Sequence, residues 1–148
     1  MKKQLLVAGI LGCVVFNAYA ACEITVQNNM SNPKKASEKY YMKDVRIIDG
    51  TCIGAEGCGG NLAYGKAIHF KNNGTNWSTV LDTSVDLNTS RHISNIRVEM
   101  ENATQSNCNV KIGDGAWCST DASTGQQDCE PKLTKIGANE YSLTIEKK

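Results

Sequence analysis

Ile96-Arg97-Val98-Glu99-Met100-Glu101 alternates apolar and charged side chains one for one. A β-strand sends successive side chains to opposite faces, so Ile96, Val98 and Met100 share a dry face while Arg97, Glu99 and Glu101 share a wet one. Tyr141-Ser142-Leu143-Thr144-Ile145-Glu146 repeats the pattern near the C-terminus. Weaker runs of the same kind lie at residues 22–26, 41–48, 62–70, 80–87, 110–112 and 132–136. Turn-forming residues separate them: Asp49-Gly50, residues 57–61 around Cys58, Asn72-Asn73-Gly74, Gly113-Asp114-Gly115 and Ser123-Thr124-Gly125. Short strands with turn signals of this density predict an all-β, mainly antiparallel sandwich or barrel. One stretch reads differently. Asn32 can cap a helix that begins at Pro33 and sets Ala36 and Tyr40 on one face, so a short surface helix is expected over residues 33–39.

The N-terminus has the order of an export signal: basic Lys2 and Lys3, an apolar run over residues 5–16, then Ala18 and Ala20 at the positions a signal peptidase reads. The apolar run of about 12 residues is short of the roughly 20 that span a bilayer. Apolar Val14, Val15 and Phe16 after Cys13 argue against acylation of that cysteine. Residues 1–20 are therefore expected to be cleaved before Ala21, in a bacterial style of leader, with the product periplasmic or secreted.

Removing 20 of 148 residues leaves 128, the size of one domain, over residues 21–148. Two of the 16 basic residues leave with the leader, so 14 face 15 acidic ones and the mature net charge is about −1. That balance removes the electrostatic basis for nucleic-acid or anionic-membrane binding.

Of seven cysteines, Cys13 is lost with the leader, and six remain: Cys22, Cys52, Cys58, Cys108, Cys118 and Cys129. An even number in an exported chain reads as a disulfide framework. A metal site is not expected, since no Cys-x-x-Cys occurs and only His69 and His92 could join the cysteines. Cys108 and Cys118 are equidistant from Gly113, so a hairpin turning there would pair them. Cys52 and Cys58 flank a short loop, and elimination leaves Cys22 with Cys129.

Residues that carry chemistry are sparse. No nucleophile elbow, zinc-protease helix motif, phosphate loop or dinucleotide fingerprint occurs. His69, between Ile68 and Phe70, falls on the wet face of its strand. His92, in the polar run Asn88-Thr89-Ser90-Arg91-His92, reads as a loop residue and is the better functional candidate. Glu99 and Glu101 lie about 7 Å apart on one face, within glycosidase range, but Arg97 beside them points to a solvated charge ladder. Asp114, Asp121 and Asp128 sit in loops that permit calcium ligation without specifying it.

Trp77 and Trp117 each follow a polar, glycine-containing loop, a common way to build a recognition surface. Trp117 adjoins Cys118 and could equally pack against a disulfide. The expected function is therefore an exported binding module for a protein or glycan, without a cofactor, using Trp77, Trp117 and His92. The alternatives are a small hydrolase built around His92 with an acidic partner, and a secreted inhibitor or toxin-like module.

Overall fold

The computed structural model describes residues 22–54, 58–73, 78–87, 91–104, 107–120, 124 and 126–148. The expected leader over residues 1–20, its cleavage point, Trp77 and Asp121 lie outside the described residues. The strands are β1 (Glu23–Asn28), β2 (Ser31–Asn32), β3 (Lys35–Ile48), β4 (Gly50–Ile53), β5 (Ala67–Asn72), β6 (Ser78–Leu87), β7 (Arg91–Thr104), β8 (Asn107–Ile112), β9 (Trp117–Cys118), β10 (Cys129–Lys135) and β11 (Glu140–Lys147). Among the described residues there is no helix, and so none long and apolar enough to cross a membrane. The fold is all-β and disulfide-stabilised, as the alternation predicts.

The strands neighbour one another in the order β2-β3-β6-β7-β9-β10-β11-β1-β5-β4, with β8 branching from β7. Pairing is antiparallel except between β1 and β11, which run side by side in the same direction. β7 buries Ile96, Val98 and Met100 completely and exposes Arg97, the alternation that its sequence announces. Ile24 and Val26 of β1, Ile68 and Phe70 of β5, Leu81 and Val85 of β6, and Leu143 of β11 join them in one core. The sheet thus curls, with its dry face turned inward.

The curl is closed on one side by the outer edge of β3. Tyr40 N donates to Met30 O, Met42 exchanges two bonds with Leu62, and Val45 N donates to Gly60 O. Asn28 sits at this seam with 0% exposure. Its Nδ2 donates to Tyr40 O and to Leu62 O, both at 3.0 Å, and its Oδ1 accepts from Met30 N at 3.1 Å. One side chain therefore ties three backbone segments that would otherwise present an open strand edge.

The helix expected over residues 33–39 is not formed. Ser31 pairs with Lys39 and Asn32 with Lys35, which makes a β2–β3 hairpin. Asn32 Oδ1 accepts from Lys34 N at 2.9 Å, so the capping chemistry read from Asn32-Pro33 closes a turn instead. Tyr40 is buried while Ala36 is exposed, so the two share no apolar face.

Three disulfides link the strands: Cys22–Cys108, Cys52–Cys58 and Cys118–Cys129, with Cα–Cα distances of 5.6, 5.9 and 5.2 Å. They suit an oxidising environment. The Cys52–Cys58 pairing matches the sequence reading, whereas the expected Cys108–Cys118 and Cys22–Cys129 bonds are replaced. The reason is that β8 and β9 do not form a hairpin with each other. Both lie antiparallel to β7, one after the other, with Cys108 opposite Asn102 and Cys118 opposite Ser94. Eight residues of β7 separate those points, roughly 26 Å at about 3.3 Å per residue, far beyond a disulfide's reach. Cys118 instead faces Cys129 directly across β9–β10. Cys22–Cys108 closes a separation of 86 residues, and the chain-entropy model assigns such a loop about 4.5 kcal/mol.

Candidate functional site

The outer face of β3, β6, β7 and β9 brings together two of the candidate residues, His92 and Trp117. β6 and β7 pair in register until Val85 meets Ser94; the next pair is Asp86 with His92, so Ile93 is an extra residue. This bulge buries Ile93 and Ser94 together and aims His92 to the outside beside Asp86. His92 is thus a strand residue and not the loop residue expected, while residues 88–90 of that polar stretch lie outside the described residues.

His92 Nδ1 lies 3.1 Å from Asp86 Oδ1, and Lys43 Nζ lies 3.0 Å from Asp86 Oδ2. An ionised carboxylate only accepts, so Nδ1 carries the hydrogen, and Nε2 is the nitrogen left for an incoming group. Asp86 is buried with both oxygens engaged, while the His92 side chain remains 42% exposed. β9 pairs Trp117 with Asn95 of β7, which sets the indole against the imidazole at 5.4 Å and 71°, an edge-to-face contact. Tyr41, opposite Asp86, and Lys43, opposite Ser84, extend the row onto β3. His92 and Trp117, two of the three proposed ligand contacts, are therefore neighbours in space.

Lys43 and Asp86 were not identified from the sequence. Asp86 is a charged residue between apolar Val85 and Leu87, six positions before a histidine, the one local signal that could have marked it. Lys43 offers no such signal, because its role comes from strand pairing across more than 40 residues.

Other singled-out residues are committed elsewhere. His69 is partly exposed, and its Nε2 lies 2.7 Å from Glu23 Oε1 across β1–β5. Lys111 Nζ lies 2.6 Å from Glu101 Oε1 and 3.8 Å from Glu99 Oε2. The ammonium hydrogen bond and charge hold the Glu101 carboxyl below its ordinary range and push Lys111 up. A glycosidase acid needs the opposite shift, so these groups form a charge ladder. Asp128 accepts from Lys34 Nζ at 2.5 Å, from Thr120 Oγ1 and from Thr120 N at 2.7 Å, which together hold its carboxyl well below the usual carboxylate range. Among the described residues, no three His, Cys, Asp or Glu side chains converge in a metal-binding group.

An open groove lies at the β3–β4 corner, lined by Val45, Ile47, Ile48, Gly50, Cys52 and Cys58, and shares no residue with the His92 cluster. No family model and no curated protein matches the chain.

Proposed function

We propose that the chain is a single exported domain, periplasmic or extracellular after loss of its leader, that acts by binding a protein or glycan. The binding face is the outer surface of β3, β6, β7 and β9. The observation that carries this reading is the meeting of the His92 and Trp117 rings beside the Lys43–Asp86 pair. Flat rings add contact area at low entropic cost, and neighbouring polar groups fix orientation, the composition typical of recognition surfaces.

A second reading, a small hydrolase, draws on the His92–Asp86 hydrogen bond, which resembles the base and orienting pair of nucleophilic enzymes. Against it, two nearby serines among the described residues are occupied. Ser84 Oγ donates to Lys43 O, and Ser94 Oγ donates to Trp117 O.

Labelled protein on a glycan array and a panel of surface proteins tests the first reading. His92→Ala and Trp117→Ala should each weaken a detected interaction by more than about fivefold, with both variants still folded by circular dichroism. Turnover of p-nitrophenyl esters or glycosides that disappears in a folded His92→Ala variant would establish the hydrolase instead.

A further inference from the structure

We infer that the Cys52–Cys58 disulfide is a site of thiol–disulfide exchange with an external dithiol, and that its reduction leaves the sheet intact. Each of the other two bonds is anchored in the interior. Cys118 and Cys129 are 1% exposed, Cys22 is 7% exposed, and all three belong to the core cluster, with Cys108 packed against it. Cys52 is partly buried and packs against the core as Cys108 does, but its partner Cys58 is not part of the cluster, so this is the one bond of the three with no cysteine inside the core.

Position adds access. Cys52 lies on β4, the terminal strand of the sheet, where pairing runs to β5 alone. Both sulfur-bearing residues line the open groove at the β3–β4 corner, so an attacking thiol has a way in past Ile47 and the exposed Ile48. Gly54 and Gly59, with φ of 86° and 72°, bracket Cys58, and among the described residues no atom lies within 4 Å of where their Cβ atoms would be.

The chemistry balances with one dithiol. Its thiolate attacks one sulfur of the pair, the Cys52–Cys58 bond breaks, and a mixed disulfide forms while the departing sulfur takes a proton. The second external thiol then displaces the remaining protein sulfur, which is protonated in turn. Two electrons pass to the protein, the external dithiol becomes a disulfide, and Cys52 and Cys58 become thiols. Gly54 O, 3.1 Å from Cys58 Sγ, is in place to accept from the new Cys58 thiol. β4 stays attached, because its register with β5 from Gly50↔Asn72 to Ile53↔His69 is held by backbone bonds and not by the disulfide. What the reaction changes is the rim of the groove.

The test uses the folded, oxidised protein treated with dithiothreitol without denaturant, quenched at intervals with iodoacetamide and mapped by peptide mass. Cys52 and Cys58 should take the label at least about tenfold faster than the other four cysteines, with the β-sheet circular dichroism unchanged when their labelling is complete. Equal labelling rates for all six, or loss of the spectrum in step with Cys52 and Cys58, would overturn the inference. A Cys52→Ser/Cys58→Ser protein should fold and keep its two remaining disulfides under the same treatment; failure to fold would count equally against it.

Discussion

Replacing Asn28 with alanine should be the most damaging polar-to-apolar change at the seam of the curled sheet. The side chain is fully buried and makes three hydrogen bonds, to Tyr40 O, Leu62 O and Met30 N. Leu62 O keeps its bond from Met42 N, so its loss is partial, but Met30 N is left inside the protein without its acceptor. Three neutral bonds at about 1 kcal/mol each, with a desolvation penalty for the orphaned amide, give roughly 3–4 kcal/mol. Against the roughly 5–15 kcal/mol of a whole domain this is a large fraction. In urea, with a slope of about 2 kcal/mol/M, the midpoint should fall by roughly 1.5–2 M at unchanged slope. Asn28→Asp keeps the acceptor for Met30 N but turns a carboxylate toward two carbonyls, and should cost more than alanine at neutral pH. Burial and those carbonyls raise its folded pKa above the unfolded value, so the protonated form restores a donor, and the deficit should shrink as pH falls through the raised pKa. The measurement is urea unfolding of both variants at pH 7 and pH 5 with disulfides intact. A loss below about 1 kcal/mol for Asn28→Ala would refute the role given to the seam.

The Asp128 carboxyl is held below its unfolded value by Lys34 and Thr120, so its stabilisation is complete above about pH 4 and is lost as pH falls toward the folded pKa. Asp128→Asn should accordingly flatten the acid limb of a stability–pH curve, and an unchanged limb would contradict this. Gly50→Ala sets a Cβ 2.4 Å from Thr79 Cγ2 and 2.7 Å from Lys71 O, and should lower stability by about 1–3 kcal/mol in the same urea assay. Non-reducing peptide mapping should recover a Cys118–Cys129 peptide pair; a Cys108–Cys118 pair would show that β8 and β9 fold as a hairpin after all. N-terminal sequencing of exported protein should begin at Ala21, and a first residue of acylated Cys13 would overturn the leader reading.

The fold class and the positions of most strands were legible because the information is local. Alternation in residues 96–101 and 141–146 reports directly which side chains face the core, since the strand period is two whatever the neighbouring strands are. Turn residues such as Asp49-Gly50 likewise encode their own backbone. The reading failed at Asn32-Pro33, where one side-chain oxygen caps a turn or a helix equally well, and where only the pairing of Ser31 with Lys39 decides between them.

His92 and Trp117 were found as separate candidates, yet nothing in their local sequence says that they touch. Their contact depends on a bulge at Ile93 and on β9 pairing beside β7, features of register across strands. The sequence alone determined an all-β chain with six cysteines spread over residues 22–129 and a near-neutral charge, all properties of composition and short-range pattern. The tertiary structure decided which cysteines meet, that Asn28 closes the curl, and that Lys43, Asp86, His92 and Trp117 share one surface. Most of those facts join residues more than 10 positions apart, up to 86 for Cys22–Cys108, and a period-two pattern specifies a strand's faces without naming its partner.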